Sequence, residues 1–192
     1  MHYDVINITK TINQIIYEIS NFSNNFSHIN PEKVLVCISS NKKNYPGGTY
    51  GKLVPLRFEG GEETLKYQEK YYSIPSIFLN GKKQLYIIYF YMPKFFDLSY
   101  KEKINIIFHE LYHINPEFNG DIRRISKVKS AHGYSKKQFD LKYKRDIDSF
   151  NKYILQTPYL NFLKMDSRFL FANYKKVIGR RMKKPKPMIL EY

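Results

Sequence analysis

One cysteine among 192 residues, Cys37, cannot close an internal disulfide, which excludes a fold stapled for an oxidising compartment. Its setting in the apolar run KVLVCIS reads as a buried structural thiol. No stretch reaches the roughly 20 continuous apolar residues of a membrane-crossing helix, so no membrane partner is expected. The opening stretch MHYDVINITKTINQIIYEISNF lacks a basic n-region and a small-residue cleavage site, and polar residues interrupt its apolar ones. It does not read as a signal peptide, and cytoplasmic residence is the expectation. Acidic residues are also scarce: 17 Asp and Glu face 32 Lys and Arg, a formal net charge of +15. Such an excess draws polyanions without discriminating among them, so non-specific nucleic-acid contact through a basic surface is expected.

What the chain does have is apolar and aromatic material in blocks, including 18 Tyr and 14 Phe, enough to bury one compact core. Ile12, Ile15, Ile16 and Ile19 recur at spacings of three and four, which predicts an amphipathic helix over residues 9–22. Residues 34–38 are short, β-branched and bounded by turn residues, and read as a buried strand. The glycine- and proline-broken segment NYPGGTYGKLVPLRFEGGEE predicts loops around a short strand near residues 53–58. It is not a phosphate-binding loop: the spacing from Gly47 to Gly51 and Lys52 is too short, and Leu53 stands where a metal-binding hydroxyl is needed.

The run QLYIIYFYMP, residues 84–93, is the strongest strand signal. Ser99 and Glu102 then form a capping box that opens a helix over residues 100–114, which Pro116 must end. A further helix is predicted over residues 135–155, with Phe139, Tyr143, Ile147, Phe150 and Ile154 on one face. Residues 169–182 read as a strand pair or a short helix, and KKPKP as an exposed basic tail.

The capped helix carries His109, Glu110, Leu111, Tyr112 and His113, an HExxH motif. Four residues are a rotation of about 400°, so the two imidazoles share one face, a turn apart, and can bind one metal ion. Glu110 lies beside them, placed to take a proton from a zinc-bound water that attacks a polarised carbonyl. A catalytic zinc normally takes three protein ligands and keeps one position open. Downstream of the motif the only glutamates are Glu117, close to the helix end, and Glu191 at the terminus. Asp121 and Asp140 remain as donors, and His132, followed by Gly133, is the best candidate for the third ligand. Tyr134 is a candidate donor to the oxyanion that water attack creates.

The stretch from Leu85 to Phe139 resembles a prokaryotic and phage family of metallopeptidases, and more distantly the SprT-like zinc proteases. The likeness to the SprT-like group lies in HELYH followed, after a linker, by His132-Gly133 and then Phe139; in that group the later histidine is the third ligand. The stretch LVPLRFEGG, residues 53–61, is similar to the metallopeptidase pattern as well, and Asp121, Arg123 and Arg124 to its GD-RR signature. These three read as braces for the loop that brings in His132, or as solvated charges.

The resemblance implies an α+β, minimal zincin-like fold: a small mixed sheet packed on an N-terminal helix and the HExxH helix, with a further C-terminal helix. Residues 1–160 would form the catalytic domain and 161–192 a basic extension. It also implies a zinc-dependent hydrolase of protein or peptide substrates, whose extended backbone would pair with residues 85–91 if they form an edge strand; the segment reads equally as an ordinary core strand. The rival reading is a nucleic-acid-associated metalloprotein or nuclease, favoured by the basic clusters of residues 123–145 and 175–186.

Overall fold

Isoleucines at helical spacing and β-branched runs flanked by turns build the first half of the chain. The computed structural model describes residues 3–40, 49–125 and 135–190. Strand β1 (Tyr3–Asn7) leads into helix α1 (Ile8–Phe22), whose first turn is capped by the Asn7 side chain accepting from the Lys10 N–H. Ile12, Ile15, Ile16 and Ile19 are all fully buried, as their spacing predicts. Strands β2 (Val34–Ser40) and β3 (Gly51–Pro55) follow, then the hairpin β4 (Thr64–Tyr67) and β5 (Lys70–Ser73), the two-residue pair β6 (Phe78–Leu79) and β7 (Lys82–Lys83), and β8 (Tyr86–Met92).

The architecture is α+β around a mixed three-stranded sheet in the order β2-β8-β3. Strand β8 runs parallel to β2 and antiparallel to β3, with Leu53 opposite Ile88. Val34, Val36, Tyr86, Ile88 and Phe90 face the helices, whereas Leu35, Cys37, Val54, Ile87 and Tyr89 form a second core on the reverse face. Burial on both faces is why these strands read as continuous apolar runs and not as alternating ones. Cys37 is fully buried there, and burial pushes its thiol up to about 11, which keeps it inert. Of the two readings of residues 85–91, the edge strand is corrected and the core strand holds: β8 is the centre of the sheet, and the edge that contacts the motif helix is β3. A run so apolar needs strands on both sides and packing on both faces, which an edge does not provide.

Helix α2 (Tyr100–Tyr112) opens with the expected capping box, the Ser99 and Glu102 side chains each bonding the other residue's backbone N–H. Ile104, Ile107, Phe108 and Leu111 bury one face, with Phe108 edge-on to Phe26 and to Phe150. The single helix expected over residues 135–155 is two: α3 (Lys136–Leu141) and α4 (Lys144–Tyr153), broken at Lys142 and Tyr143. The break lets Phe139 and Tyr143 both turn onto α2, where each is almost fully buried.

Helices α5 (Tyr159–Lys164) and α6 (Ser167–Asn173) precede β9 (Tyr174–Ile178), so residues 169–182 combine helix and strand. Strand β9 pairs in parallel with β1, and beyond it the Arg180 carbonyl accepts the Ile38 N–H at the outer edge of β2. The basic stretch after it is exposed, but the short strand β10 (Met188–Ile189) fastens it to β5. Among the described residues, no helix is long and apolar enough to cross a membrane.

Candidate active site

Helix α2 points His109, Glu110 and His113 away from the core and toward β3 and α3. His109 Nε2 and His113 Nε2 lie 3.2 Å apart. Two metal–nitrogen bonds of about 2.0–2.1 Å meeting at a near-tetrahedral angle place their nitrogens roughly 3.3 Å apart, so the pair fits a single ion. The other nitrogen of His109, Nδ1, is 2.9 Å from Asp140 Oδ1 and 3.1 Å from the Tyr143 hydroxyl. Tyr143 gives its only proton to Asp140 Oδ1 at 2.6 Å. The hydroxyl oxygen can then only accept from His109, which assigns the proton to Nδ1 and leaves the Nε2 lone pair aimed at His113. Burial first, and the hydrogen bond to Asp140 second, hold the Tyr143 phenol far above its usual range, so it stays a neutral donor.

Glu110 is buried under β3, where its Oε2 accepts the Leu53 N–H at 2.7 Å. Residues 50, 52, 54 and 56 direct their backbone groups at β8, as Tyr91 N to Tyr50 O and Leu56 N to Leu85 O show, so Leu53 faces the open edge. Close approach of α2 to that edge needs Gly51. A Cβ there would stand 2.9 Å from both Glu110 Cγ and Ile106 Cγ2, and 3.0 Å from Glu110 Oε1.

Behind the motif the chain doubles back. The Arg123 N–H donates to the His113 carbonyl at 2.7 Å, Asn115 N–H to Asp121 O at 3.2 Å, and Ile122 bridges Ile114. The fully buried Tyr86 of β8 locks this return, donating to Asp121 O and accepting the Gly120 N–H, each at 2.9 Å. Burial pushes its phenol up to about 12. Gly120 has φ +91°, and a Cβ would strike Arg57 Cγ at 2.5 Å.

The sequence candidates thus divide. His109, Glu110 and His113 come together as their spacing requires. Asp121, weighed as a ligand, is committed elsewhere: its carboxylate accepts the Gly60 and Ile122 N–H groups and pairs with Arg124 at 3.2 Å. Asp140, also weighed as a ligand, is bonded to Nδ1 of His109, on the side of the ring away from His113. His132 and Tyr134 lie outside the described residues, and among the described residues no third His, Cys, Asp or Glu completes a metal-binding group. The sequence reading did not single out Gly51, the Leu53 N–H or the role of Tyr143. The i,i+3 spacing of Asp140 and Tyr143 was the one available signal for the last.

Two cavities lie against α2. One of about 710 Å³, lined by Tyr50, Ile106, His109 and Asp140, lies at the start of β3. The other, about 570 Å³, is lined by Glu59, Gly60, Tyr112 and Arg123, beyond the end of β3. Phe139 roofs the histidine pair, its ring centroid 4.6 Å from that of His113 and 5.2 Å from that of His109.

No curated protein and no solved structure matches the chain. The profile of a family described as "Putative phage metallopeptidase" matches residues 7–154, which hold the sheet, α2, α3, α4 and every site residue named above. A match over well more than half of the chain, spanning a histidine pair with a carboxylate beside it, places this protein in that phage metallopeptidase family.

Proposed function

We propose that the protein is a zinc metallopeptidase in which His109, His113 and His132 hold the ion and Glu110 is the general base. The observation that carries this reading is the 3.2 Å Nε2 pair, with Nδ1 of His109 engaged by Asp140 and Tyr143. Two imidazoles oriented in that way match the nitrogen-donor preference of zinc. In the sequence His132 lies between Ile125 and Ser135, the N-cap of α3. The chain on either side is tied to the histidine pair, through Arg123 on His113 and through Phe139 on both rings, which supports His132 as the third ligand.

When bound, zinc supplies Lewis acidity that polarises the scissile carbonyl and acidifies water. Glu110 accepts a proton from the attacking water as the C–O bond forms, and returns it to the amide nitrogen as the C–N bond breaks. The Leu53 N–H holds the carboxylate in place for both transfers. Tyr134 is assigned as donor to the oxyanion. The extended substrate backbone takes the open edge of β3, next to Glu110, and not residues 85–91.

Zinc content of the purified protein, of His113→Ala and of His132→Ala, measured beside cleavage of a denatured protein, tests the reading. One zinc per wild-type chain, loss of zinc in both variants, and cleavage by the wild type alone are expected. A wild type that neither binds zinc nor cleaves any amide overturns it. Asp140→Ala is expected to weaken zinc about 10–100-fold, because a ligand histidine freed from its carboxylate loses orientation and basicity. Competition with a chelator reads that change without reference to activity.

A further inference from the structure

We infer that the cavity at the C-terminal end of α2 is a carboxylate-binding subsite of the substrate cleft, with Arg123 as its recognition residue. The inference deepens the peptidase reading and rests on it. Arg123 is half-buried: its guanidinium stacks over the Tyr112 ring at 4.1 Å and its Nε–H donates to the Tyr112 carbonyl at 2.8 Å. Those contacts fix the plane of the group and commit one N–H, leaving both terminal nitrogens, the fork that grips a carboxylate, without a hydrogen bond among the described residues. No Asp or Glu among the described residues lies within ion-pair distance of it, and the sequence of residues 126–134 contains none.

Of the cations that line the cavity, Arg124 is spent on carboxylates, whereas the half-buried Arg123 and the exposed Lys142 have no ion pair among the described residues. Arg124 pairs with Asp121 at 3.2 Å and with Glu59 at 3.5 Å. The field of Arg123 also reaches His28, whose pKa is lowered by burial and then by this guanidinium. Its buried Nε2 has no hydrogen-bond partner among the described residues.

The position suits a substrate group. The cavity is walled by Glu59 and Gly60, which follow β3 in the chain, and by Tyr112, the residue before His113. Glu59, Glu117 and Asp121 line it opposite Arg123, Arg124 and Lys142, so the wall has no net positive charge to hold a phosphate dianion or a nucleic-acid strand, whereas a single carboxylate is neutralised by one guanidinium. The carboxylate is either an acidic side chain or the C-terminus of the peptide.

The test is equilibrium binding of labelled peptides to zinc-loaded Glu110→Gln protein, which binds without turnover. Peptides carry Glu or Gln at successive positions and end in a free or an amidated C-terminus. Losing the recognised carboxylate is expected to weaken binding about 10–100-fold, the range of a charge-assisted bidentate bond. Whether the Glu-to-Gln or the amide series shows the loss identifies the source. In Arg123→Gln the preference is expected to vanish while neutral peptides bind as before, which also reports an intact cleft. Arg123→Lys is expected to lose most of the preference, whereas a guanidinium serving only the helix end predicts that it keeps all of it. Equal binding of every peptide, or a preference that survives in Arg123→Gln, overturns the subsite. Cleavage by zinc-loaded protein with Glu110 intact is scored separately, so a missing subsite and a missing peptidase give different results.

Discussion

Glu110→Gln is expected to lower amide hydrolysis by about 10²–10⁴-fold, the usual contribution of a positioned proton acceptor, while zinc content stays at the wild-type level. The amide keeps the size of the carboxylate and can still accept the Leu53 N–H through its oxygen, so the fold has no reason to change. Gly51→Ala is expected to produce the same phenotype without touching the carboxylate itself. The added methyl would meet Glu110 Cγ and Ile106 Cγ2 at 2.9 Å, and Glu110, buried and held by Leu53, must move to admit it. A displacement of about 1 Å in a reacting group costs on the order of 10²-fold in rate. Measuring zinc content, thermal stability and peptide cleavage for both variants separates the cases. Full activity in Gly51→Ala would show that the β3 edge does not govern Glu110, and wild-type cleavage by Glu110→Gln would remove it as the base.

The second large effect concerns stability and pH. Lys103 lies on α2 with 1% of its surface exposed, its ammonium donating to the carbonyls of Leu163 at 2.9 Å and Met165 at 2.6 Å. Burial lowers its pKa to about 8, against smaller upward pulls from Asp97 and Asp166. An unfolded lysine titrates near 10.5, so between those values the unfolded chain holds more of the proton than the native one. Stability from this group therefore rises with pH over that window, by about 2 kcal/mol from pH 8 to pH 10. Above pH 10 the buried phenols act in the opposite sense, because Tyr86 and Tyr89, raised to about 12, ionise first in the unfolded chain. Denaturant titrations at pH 8, 9 and 10 are expected to show the rise in the wild type and its absence in Lys103→Met. Parallel profiles for the two proteins would rule out a lysine held charged at neutral pH as the source.

Lys103 also illustrates why the C-terminal third was hard to read. Its partners are backbone carbonyls 60 and 62 residues away, and no pattern in residues 161–190 announces that two of its carbonyls will receive a charge from the motif helix. The exposed basic stretch was legible from composition, but its fastening through β10 to β5 was not, because a two-residue strand has no periodicity to detect. The break between α3 and α4 was hidden for a related reason. Phe139, Tyr143, Ile147, Phe150 and Ile154 keep helical spacing straight through it, and only the need to lay two aromatic rings on α2 bends the chain at Lys142.

By itself the sequence determined what depends on neighbours along the chain. The buried stripe of α1, the capping box on α2, the apolar strands and the one-turn offset of His109 and His113 all follow from helical and strand periods, which local spacing carries in full. Tertiary structure decided what depends on elements distant in the chain. It made β8 a central strand and β3 the edge, set Glu110 against the Leu53 N–H, and turned Asp140 from a candidate ligand into the partner of His109 Nδ1. It also left Arg123 stacked on Tyr112 with no ion pair among the described residues. Each of these depends on which surfaces meet when both faces of a small sheet are buried, and that is a property of the packed molecule that no local pattern encodes.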